Sequence, residues 1–353
     1  MGLPHVFSSG QGKKRALTIL LLGFLLAVVM IVSAAVGPAD IAAIDVTKML
    51  LQKVPGLSHR VLGDWPLAHS VIVYRVRLPR IVLAALVGGG LAMAGTTYQG
   101  LLQNSMADPY IIGVSAGASV GATLGILLRG SFSFLGLSTV TLMAFLGAVI
   151  TTFLVYNIAR VGGRVPVGTL LLAGVAVSSF LSAIVSFLMV LSSQSMHEIV
   201  YWMMGSLSGR SWEHVKASLP YLVLGGVVVL FYSRELNLLL LGEESAQNLG
   251  VNVEKVKAVL LTAGSLMAAA AVSVSGVIGF VGLIIPHTVR LLTGPDHRIL
   301  LPAAALVGAI FLVVADTLAR TLLAPSELPV GVITALAGAP FFLYLLRRQK
   351  DRR

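Results

Sequence analysis

The run ALTILLLGFLLAVVMIVSAAV, residues 16–36, contains no charged residue and directly follows the basic cluster Lys13-Lys14-Arg15. A hydrocarbon core about 30 Å thick is crossed by roughly 20 apolar residues in a helix, so this run is long enough to span a bilayer. A signal peptide has a similar pattern, and Ser33-Ala34-Ala35 is typical of its small-residue cleavage site. Because the apolar part of a signal peptide is only about 7–15 residues long, we interpret the run as a retained first span.

The composition of the whole chain extends this interpretation. Of 353 residues, 57% are apolar and 11% are charged, whereas about 25% of the residues in a soluble domain are charged. So few polar residues cannot cover a globule of this size, and we expect much of the surface to face lipid. Lipid tolerates no unpaired backbone groups, and the apolar runs are continuous and do not alternate, so the spans are predicted to be helices. The predicted fold class is an all-α polytopic membrane protein.

Ten apolar runs predict ten transmembrane helices in one membrane domain, residues 1–353. The runs are 16–36, 74–102, 111–128, 137–159, 168–192, 214–232, 256–275, 277–292, 299–323 and 330–346. Between the first two, residues 37–73 predict an external loop with a short helix near residues 46–54. The larger share of the 25 Lys and Arg residues falls on the side of the N-terminus. The positive-inside rule therefore predicts that both termini, including a tail of residues 1–15, lie on the cytoplasmic side of the inner membrane.

Charge and cysteine content exclude several classes of site. The chain has no cysteine, so disulfides, thiolate metal sites and cysteine nucleophiles are excluded. The net charge of +11 comes from basic residues clustered at the ends of apolar runs, which is typical of contacts with lipid headgroups. We therefore predict membrane lipid as a partner, and we predict neither a nucleic-acid partner nor a metal site.

Glycines recur every fourth residue at Gly113, Gly117, Gly121 and Gly125, which places them on one face of a helix. Such a face allows a neighbouring helix to approach closely, and tight packing is the favoured interpretation. Gly113-Val114-Ser115-Ala116-Gly117 also fits the G-x-S-x-G motif of serine hydrolases, which requires a strand-to-helix turn and a histidine base. An intramembrane serine hydrolase, with His287 as the base, is therefore an alternative; the prediction is a chain with no catalytic residue and no cofactor.

Ionisable residues inside the predicted spans are few, and Asp316, Arg320 and His287 are the candidates. Asp316 and Arg320 are four residues apart, which indicates a pair on one helix face. A proton-coupled secondary transporter is the alternative function, but it would need more carboxylates within the membrane. The chain also lacks a G-x-x-x-x-G-K-[ST] loop for ATP. We therefore predict a non-enzymatic transport subunit whose energy comes from a partner.

The cytoplasmic segment 234–255 contains a short amphipathic stretch between Gly242 and Gly250. Glu243 lies in its first predicted turn, where the helix dipole favours acidic residues. Ala246 and Leu249 are predicted to form a small apolar face. That face packs either on the underside of the chain itself or on a partner.

Several motifs occur in the order typical of the permeases of cobalamin, haem and iron-siderophore ABC importers, and the chain resembles that family over residues 70–347. The motifs are Arg77-Leu78-Pro79-Arg80, Asp108-Pro109, Gly113-Val114-Ser115-Ala116-Gly117, Tyr201-Trp202-Met203-Met204-Gly205, Gly276-Val277-Ile278-Gly279-Phe280-Val281-Gly282-Leu283, Ile285-Pro286-His287, Asp296-His297-Arg298, Ala315-Asp316 and Glu327-Leu328-Pro329-Val330-Gly331. The resemblance implies a ten-helix permease that pairs with a second copy, or with a similar permease, around a central pathway. It also implies two cytoplasmic ATP-binding subunits and an extracytoplasmic substrate-binding protein. Ferric siderophore is the first expected substrate, and haem and cobalamin stay open.

The resemblance further implies three groups of site residues. Contact with the ATP-binding subunits falls on Gly242, Glu243, Ala246, Leu249 and Gly250, the cytoplasmic gate on Asn104, Met106, Val167 and Gly168, and docking of the binding protein on Arg77, Arg80 and Arg320. The three arginines lie on the outer side, where the positive-inside rule disfavours them. In one interpretation Arg320 pairs with Asp316, and Arg77 and Arg80 extend to lipid headgroups. In the other, the three form a basic pocket, in which a planar guanidinium would bind a carboxylate of the partner with two hydrogen bonds.

Overall fold

The computed structural model describes residues 9–37, 39, 41–53, 65–128, 133–134 and 137–350. Within these ranges nearly all regular structure is helical. The elements are α1 (Ser9–Ala35), α2 (Ala43–Gln52), α3 (Leu67–Val71), a π-helical turn (Ile72–Arg77), α4 (Leu78–Leu101), α5 (Val114–Leu127), β1 (Ser133–Phe134), β2 (Leu137–Ser138), α6 (Thr139–Ala159), α7 (Val167–Leu191), a 3₁₀ turn (Ser193–Ser195), α8 (Met196–Met203), α9 (Trp212–Phe231), α10 (Ser233–Leu239), α11 (Glu243–Asn248), α12 (Val253–Ser275), α13 (Val281–Thr293), α14 (His297–Thr321) and α15 (Val330–Lys350). The two short strands pair antiparallel.

The predicted all-α membrane fold is confirmed. Seven helices in the described residues are long and apolar enough to cross a membrane. Three shorter apolar helices, α5, α13 and α15, complete the set of ten predicted runs. The short helix predicted near residues 46–54 is α2, although residue 54 lies outside the described residues.

Several predicted boundaries are wrong. The external loop predicted at 37–73 ends early, because α3 already begins at Leu67 and continues through the π-helical turn into α4. Likewise α1 begins at Ser9, inside the predicted tail, whose residues 1–8 lie outside the described residues, as do residues 38, 40 and 54–64 of the loop. The helix predicted from 277 starts at Val281, because Gly276 and Phe280 both have positive φ, at +68° and +70°, which a right-handed helix does not accept.

Helix α4 is the centre of the bundle, and most of its residues are buried. It packs against α14, α12, α13 and α9. A side chain at Gly88 would overlap the backbone of Gly308 on α14, and one at Gly95 would overlap the carbonyl of Gly282 on α13. Because these glycines carry no side chain, the three backbones touch directly, and α4 sits rigidly among its neighbours.

The glycine stripe of α5 packs as predicted against α6. Gly117 faces Gly147 and Thr151, and Gly121 faces the carbonyl of Met143. A Cβ atom at Gly125 would lie 2.8 Å from the Cα atom of Val140. The prediction of close helix packing through Gly113–Gly125 is therefore confirmed.

Candidate functional site

The three arginines predicted for docking converge at one end of the bundle, where α1 and α14 end and α4 begins. Each is buried: Arg77 is 5% exposed, Arg80 8% and Arg320 6%. The sequence prediction that they form one group agrees with this placement. Most of their donors, however, are engaged inside the chain, and the buried Nε of Arg320 has no hydrogen-bond partner among the described residues. Arg80 binds carboxylates, whereas Arg77 and Arg320 bind the end of α1.

Arg80 is held by two carboxylates. Its Nε and Nη2 atoms donate to Asp316 at 2.9–3.0 Å, and its Nη1 atom donates to both oxygens of Glu327 at 2.9 Å. Asp316 is almost fully buried, whereas the Glu327 side chain is 34% exposed. Burial alone would raise the pKa of Glu327, but a hydrogen bond from Ser208 and the charge of Arg80 outweigh it and lower that pKa below its ordinary value.

The predicted pair of Asp316 and Arg320 is the weaker of the two arginine contacts that Asp316 makes. The nearest nitrogen of Arg320 lies 4.0 Å from Asp316, and that of Arg80 lies 2.9 Å away. Spacing along one helix suggested the pair, but a planar guanidinium on the facing helix reaches both carboxylate oxygens with better geometry.

Arg77 and Arg320 instead bind the C-terminal end of α1. Arg77 donates to the carbonyl oxygens of Ala34 and Ala35 at 2.7 and 2.9 Å. Arg320 donates to the carbonyl oxygen of Val36 at 2.6 Å and to Ser33 Oγ at 2.9 Å. The last carbonyls of a helix lack partners within the helix and carry partial negative charge. The two arginines therefore satisfy the end of α1 and attach this largely exposed helix to the bundle.

At the other face, α11 forms the centre of the predicted coupling segment. Gly242 and Gly250 bound it with φ of +101° and +87°, conformations that favour glycine. Ala246 is fully buried against the chain itself, whereas Leu249 is 60% exposed. The predicted common apolar face of Ala246 and Leu249 is therefore wrong: one residue is buried and the other exposed, because the helix ends at Asn248 and Leu249 is its C-terminal cap. Leu241, also exposed, lies at the other end of α11.

The predicted gate residues lie on two strips near this segment. Asn104 accepts a hydrogen bond from the Met106 backbone at 2.9 Å, and Met106 is exposed. The neighbouring Gln103 donates to the Leu239 carbonyl at the end of α10. The second strip is the first turn of α7, where a side chain at Gly168 would meet open space. These placements fit a gate, and the gating role stays a prediction.

The hydrolase interpretation of Ser115 finds no support in the described residues. The turn before α5 follows a loop, not a strand, and no histidine of the described chain hydrogen-bonds to Ser115. Its carbonyl accepts a bond from Ser119 within the helix. The motif is explained by packing of the glycines.

Sequence reasoning missed two buried or half-buried groups, Lys257 and Glu254. Lys257 lies one residue inside the predicted span 256–275, where a charged residue is costly. Glu254 precedes it by three residues, and this i,i+3 spacing of opposite charges is the signal that could have found the pair.

Comparison with known proteins agrees with the helical membrane bundle. The model of the FecCD transport family matches residues 25–348. The chain belongs to the FecCD transport family. The cobalamin import system permease protein BtuC of Halobacterium salinarum is 47% identical, over 94% of this chain and 95% of that protein. The hemin transport system permease protein HmuU of Yersinia pestis is 40% identical, over 95% of this chain and 97% of that protein.

A solved structure extends the likeness of this FecCD-family chain to three dimensions. It is described as a metal-chelate type ABC transporter in an inward-facing conformation, and it is 32% identical with a TM-score of 0.81. The match covers 94% of this chain and 98% of that chain. The predicted importer-permease family and the predicted fold are confirmed, and the comparisons give no support to a proton-coupled secondary transporter.

We expect the buried Arg80–Asp316 pair to contribute most of the stability of this end of the FecCD-family bundle. Replacing Asp316 by Ala leaves a buried guanidinium without its main partner, and such a loss typically costs about 3–5 kcal/mol. Thermal unfolding in detergent micelles should therefore show a large drop in midpoint. Glu327→Ala is the matched control, because its pair with Arg80 is partly exposed and such pairs contribute about 1 kcal/mol or less. Equal shifts for the two variants would contradict this assignment.

Proposed function

We propose that this chain is the membrane-spanning subunit of an ATP-driven importer that moves iron complexes (ferric siderophore or haem) or cobalamin into the cytoplasm. The observation that carries the proposal is similarity along nearly the whole length of both chains to permease proteins of cobalamin and hemin import systems. The binding protein that delivers the cargo would select among these metal chelates.

The energy would come from two separate cytoplasmic ATP-binding subunits. In the described part of the chain the half-buried Asp108 accepts a hydrogen bond from the Tyr110 backbone N–H, and Asp316, the most deeply buried carboxylate, is held by Arg80. A carboxylate held in this way is a poor proton carrier, because releasing it would leave a buried charge unpaired. The chain itself contains no P-loop for ATP, so hydrolysis belongs to partners.

The orientation follows from charge. With both termini in the cytoplasm, as the distribution of Lys and Arg favours, α11 and the two gate strips face the cytoplasm. The arginine cluster then faces the outside, where a binding protein would arrive. The chain would lie in the inner membrane.

A second copy would pack along α7, a long helix with most of its surface exposed. Ser179, Ser182 and Ser186 are exposed on one face of this helix. Hydroxyl groups gain nothing from lipid tails, but they suit a helix interface or a hydrated pathway. This face supports a homodimer with a central pathway that begins beside Gly168.

The ATP-binding subunits would dock on the solvent-exposed side of α11, away from the bundle. This side presents Leu241 and Leu249, both exposed, next to Glu244 in the first turn of α11. Ala246 and Glu243 would not contact the partner directly but would hold α11 in position. Ala246 packs against the bundle, and Glu243 binds Lys257 at 2.6 Å. Gly242 and Gly250 shape the two ends of this surface.

We expect Leu249→Arg to release the ATP-binding subunits while the permease still inserts and folds. A long charged side chain at the centre of an apolar contact would weaken binding by about tenfold or more. The amount of ATP-binding subunit that co-purifies with the tagged permease measures this loss. Leu67→Arg is the control and should bind normally, because Leu67 is an even more exposed leucine (81% against 60%) on the opposite face. Normal co-purification of Leu249→Arg would rule out α11 as the docking site.

Binding-protein docking at Arg77, Arg80 and Arg320 is proposed in a form that fits their burial. Arg77 and Arg320 hold the end of α1 in place, and Arg80 is the one whose second partner, Glu327, is accessible from outside. An acidic side chain of the binding protein would therefore approach Arg80 beside Glu327 and compete with it. Charge reversal at Arg77 or Arg80 would break these internal contacts, so it is a poor test of docking.

Glu327→Gln is the cleaner variant, because it removes the competing charge and keeps the size of the side chain. We expect the binding protein to bind about fivefold more tightly at low salt, the equivalent of roughly 1 kcal/mol, and the gain to shrink at high salt. Glu198→Gln, an exposed acidic residue on α8 at the same face, controls for net charge. Unchanged or weaker binding by Glu327→Gln, relative to that control, would contradict docking at Arg80.

A further inference from the structure

A chain of polar contacts links α11 to the first turn of α7. Its centre is Lys257 on α12, which is buried. The Lys257 ammonium lies 2.6 Å from Glu243 Oε1 on α11 and 3.6 Å from Glu254 Oε1, one turn earlier on α12. The first contact is a hydrogen-bonded ion pair, and the second is an ion pair without a hydrogen bond.

The other oxygen of Glu254 continues this chain of contacts. Glu254 Oε2 accepts a hydrogen bond from the backbone N–H of Val165 at 3.1 Å. Val165 directly precedes Pro166, the N-cap of α7. The carboxylate therefore lies at the N-terminus of α7, where the helix dipole favours negative charge.

The segment that Glu254 holds is stiff. Val161 and Arg164 exchange two backbone hydrogen bonds of 2.9 and 3.0 Å, which close a tight turn. Pro166 has a fixed φ, and its carbonyl accepts the first bond of α7 from Leu170 at 3.0 Å. A displacement of Val165 would therefore pass directly to the first turn of α7, which contains Val167 and Gly168.

We propose that Lys257 is a positioning residue that transmits movement of α11 to the candidate gate at Val167 and Gly168, through Glu254 and the Val165 backbone. The proposal rests on the proposed roles of α11 and of this gate. A buried ammonium cannot be left without a partner. When α11 shifts, Lys257 must either follow Glu243 or close the 3.6 Å gap to Glu254. Either response changes the distance between the ammonium and Glu254, and therefore the attraction on the carboxylate that holds the Val165 N–H.

Lysine suits this role. Its ammonium has three donors on a flexible stem, so it can stay close to both carboxylates while α11 shifts. An apolar contact at the same position would let the two helices slide past each other. A buried charge instead forces the two carboxylates to move together.

The absence of cysteine from the chain allows a direct test. Gly168→Cys introduces a single thiol at a position with open space around it. The rate at which a water-soluble maleimide labels this thiol would be measured in the full complex with the ATP-binding subunits, with and without ATP and vanadate. We expect nucleotide to change the labelling rate by about tenfold, the range of an ordinary allosteric coupling.

Adding Lys257→Met should abolish the effect of nucleotide on labelling while the ATP-binding subunits still co-purify. Lys257→Arg should restore it, and Lys255→Met, an exposed lysine on the same helix, should leave it intact. Glu254→Gln provides a second route if Lys257→Met does not fold, because it keeps an acceptor for Val165 but removes the charge that Lys257 follows. We expect this variant to reduce the effect of nucleotide as well.

Two results would overturn the proposal. One is a nucleotide effect in Lys257→Met equal to that of the parent, which would remove the relay and leave docking at α11 intact. The other is loss of the ATP-binding subunits from Lys257→Met, which would make the residue part of the docking surface. Failure of the proposed docking role of α11, on which this relay rests, would appear elsewhere, as normal subunit binding by Leu249→Arg.

Discussion

The ion pair of Arg80 and Asp316 is the interaction on which one end of the bundle depends, the end where α4 begins and α14 ends. Within lipid no water is available to solvate a charge or a backbone carbonyl, so each must find a partner in the protein. Arg80 joins α4 to α14 beyond the point where Gly88 and Gly308 bring these two helices into direct contact. Arg77 and Arg320 extend the same network to α1, whose other end is tied to α14 by Arg15 and Asp296 at 2.8 Å.

The two ends of the bundle are built on the same arrangement, in which one buried cation is shared between two carboxylates. At one end Arg80 lies between the buried Asp316 and the partly exposed Glu327. At the other end Lys257 lies between Glu243 and Glu254, both partly exposed. In each case an accessible carboxylate connects a buried charge to the surface where a partner is proposed to bind. A partner can therefore act on helices that it does not touch, because moving the accessible carboxylate disturbs a charge that must stay paired.

The sequence predicts well what depends on composition and on spacing within one helix. The ten apolar runs and the glycine face of α5 follow from such local signals, and the family resemblance adds the grouping of Arg77, Arg80 and Arg320. Contacts between helices are not visible in this way. Spacing alone paired Asp316 with Arg320, whereas the structure pairs it mainly with Arg80, which is 236 residues away along the chain.

Local geometry explains the other differences. Ala246 and Leu249 are three residues apart and would share a helix face, but α11 is so short that Leu249 already lies in its cap. The start of α13 was placed too early because the run from Val277 is apolar, while the positive φ of Phe280 is a backbone property that apolar composition does not reveal. The full relay proposed for Lys257 and Glu254 cannot be predicted from the sequence, because its third member is the backbone N–H of Val165, whose contacts have no signature in the sequence.

Uptake into sealed proteoliposomes tests the central claim most directly. The permease would be reconstituted with its ATP-binding subunits and with the binding protein and cargo (cobalamin, haem or a ferric siderophore) supplied outside. We expect accumulation of one of these chelates only when ATP is present on the side of the ATP-binding subunits, and unchanged accumulation when an ionophore collapses the proton gradient. Accumulation driven by a proton gradient without ATP would contradict the assignment of this chain as the permease of an ATP-driven importer.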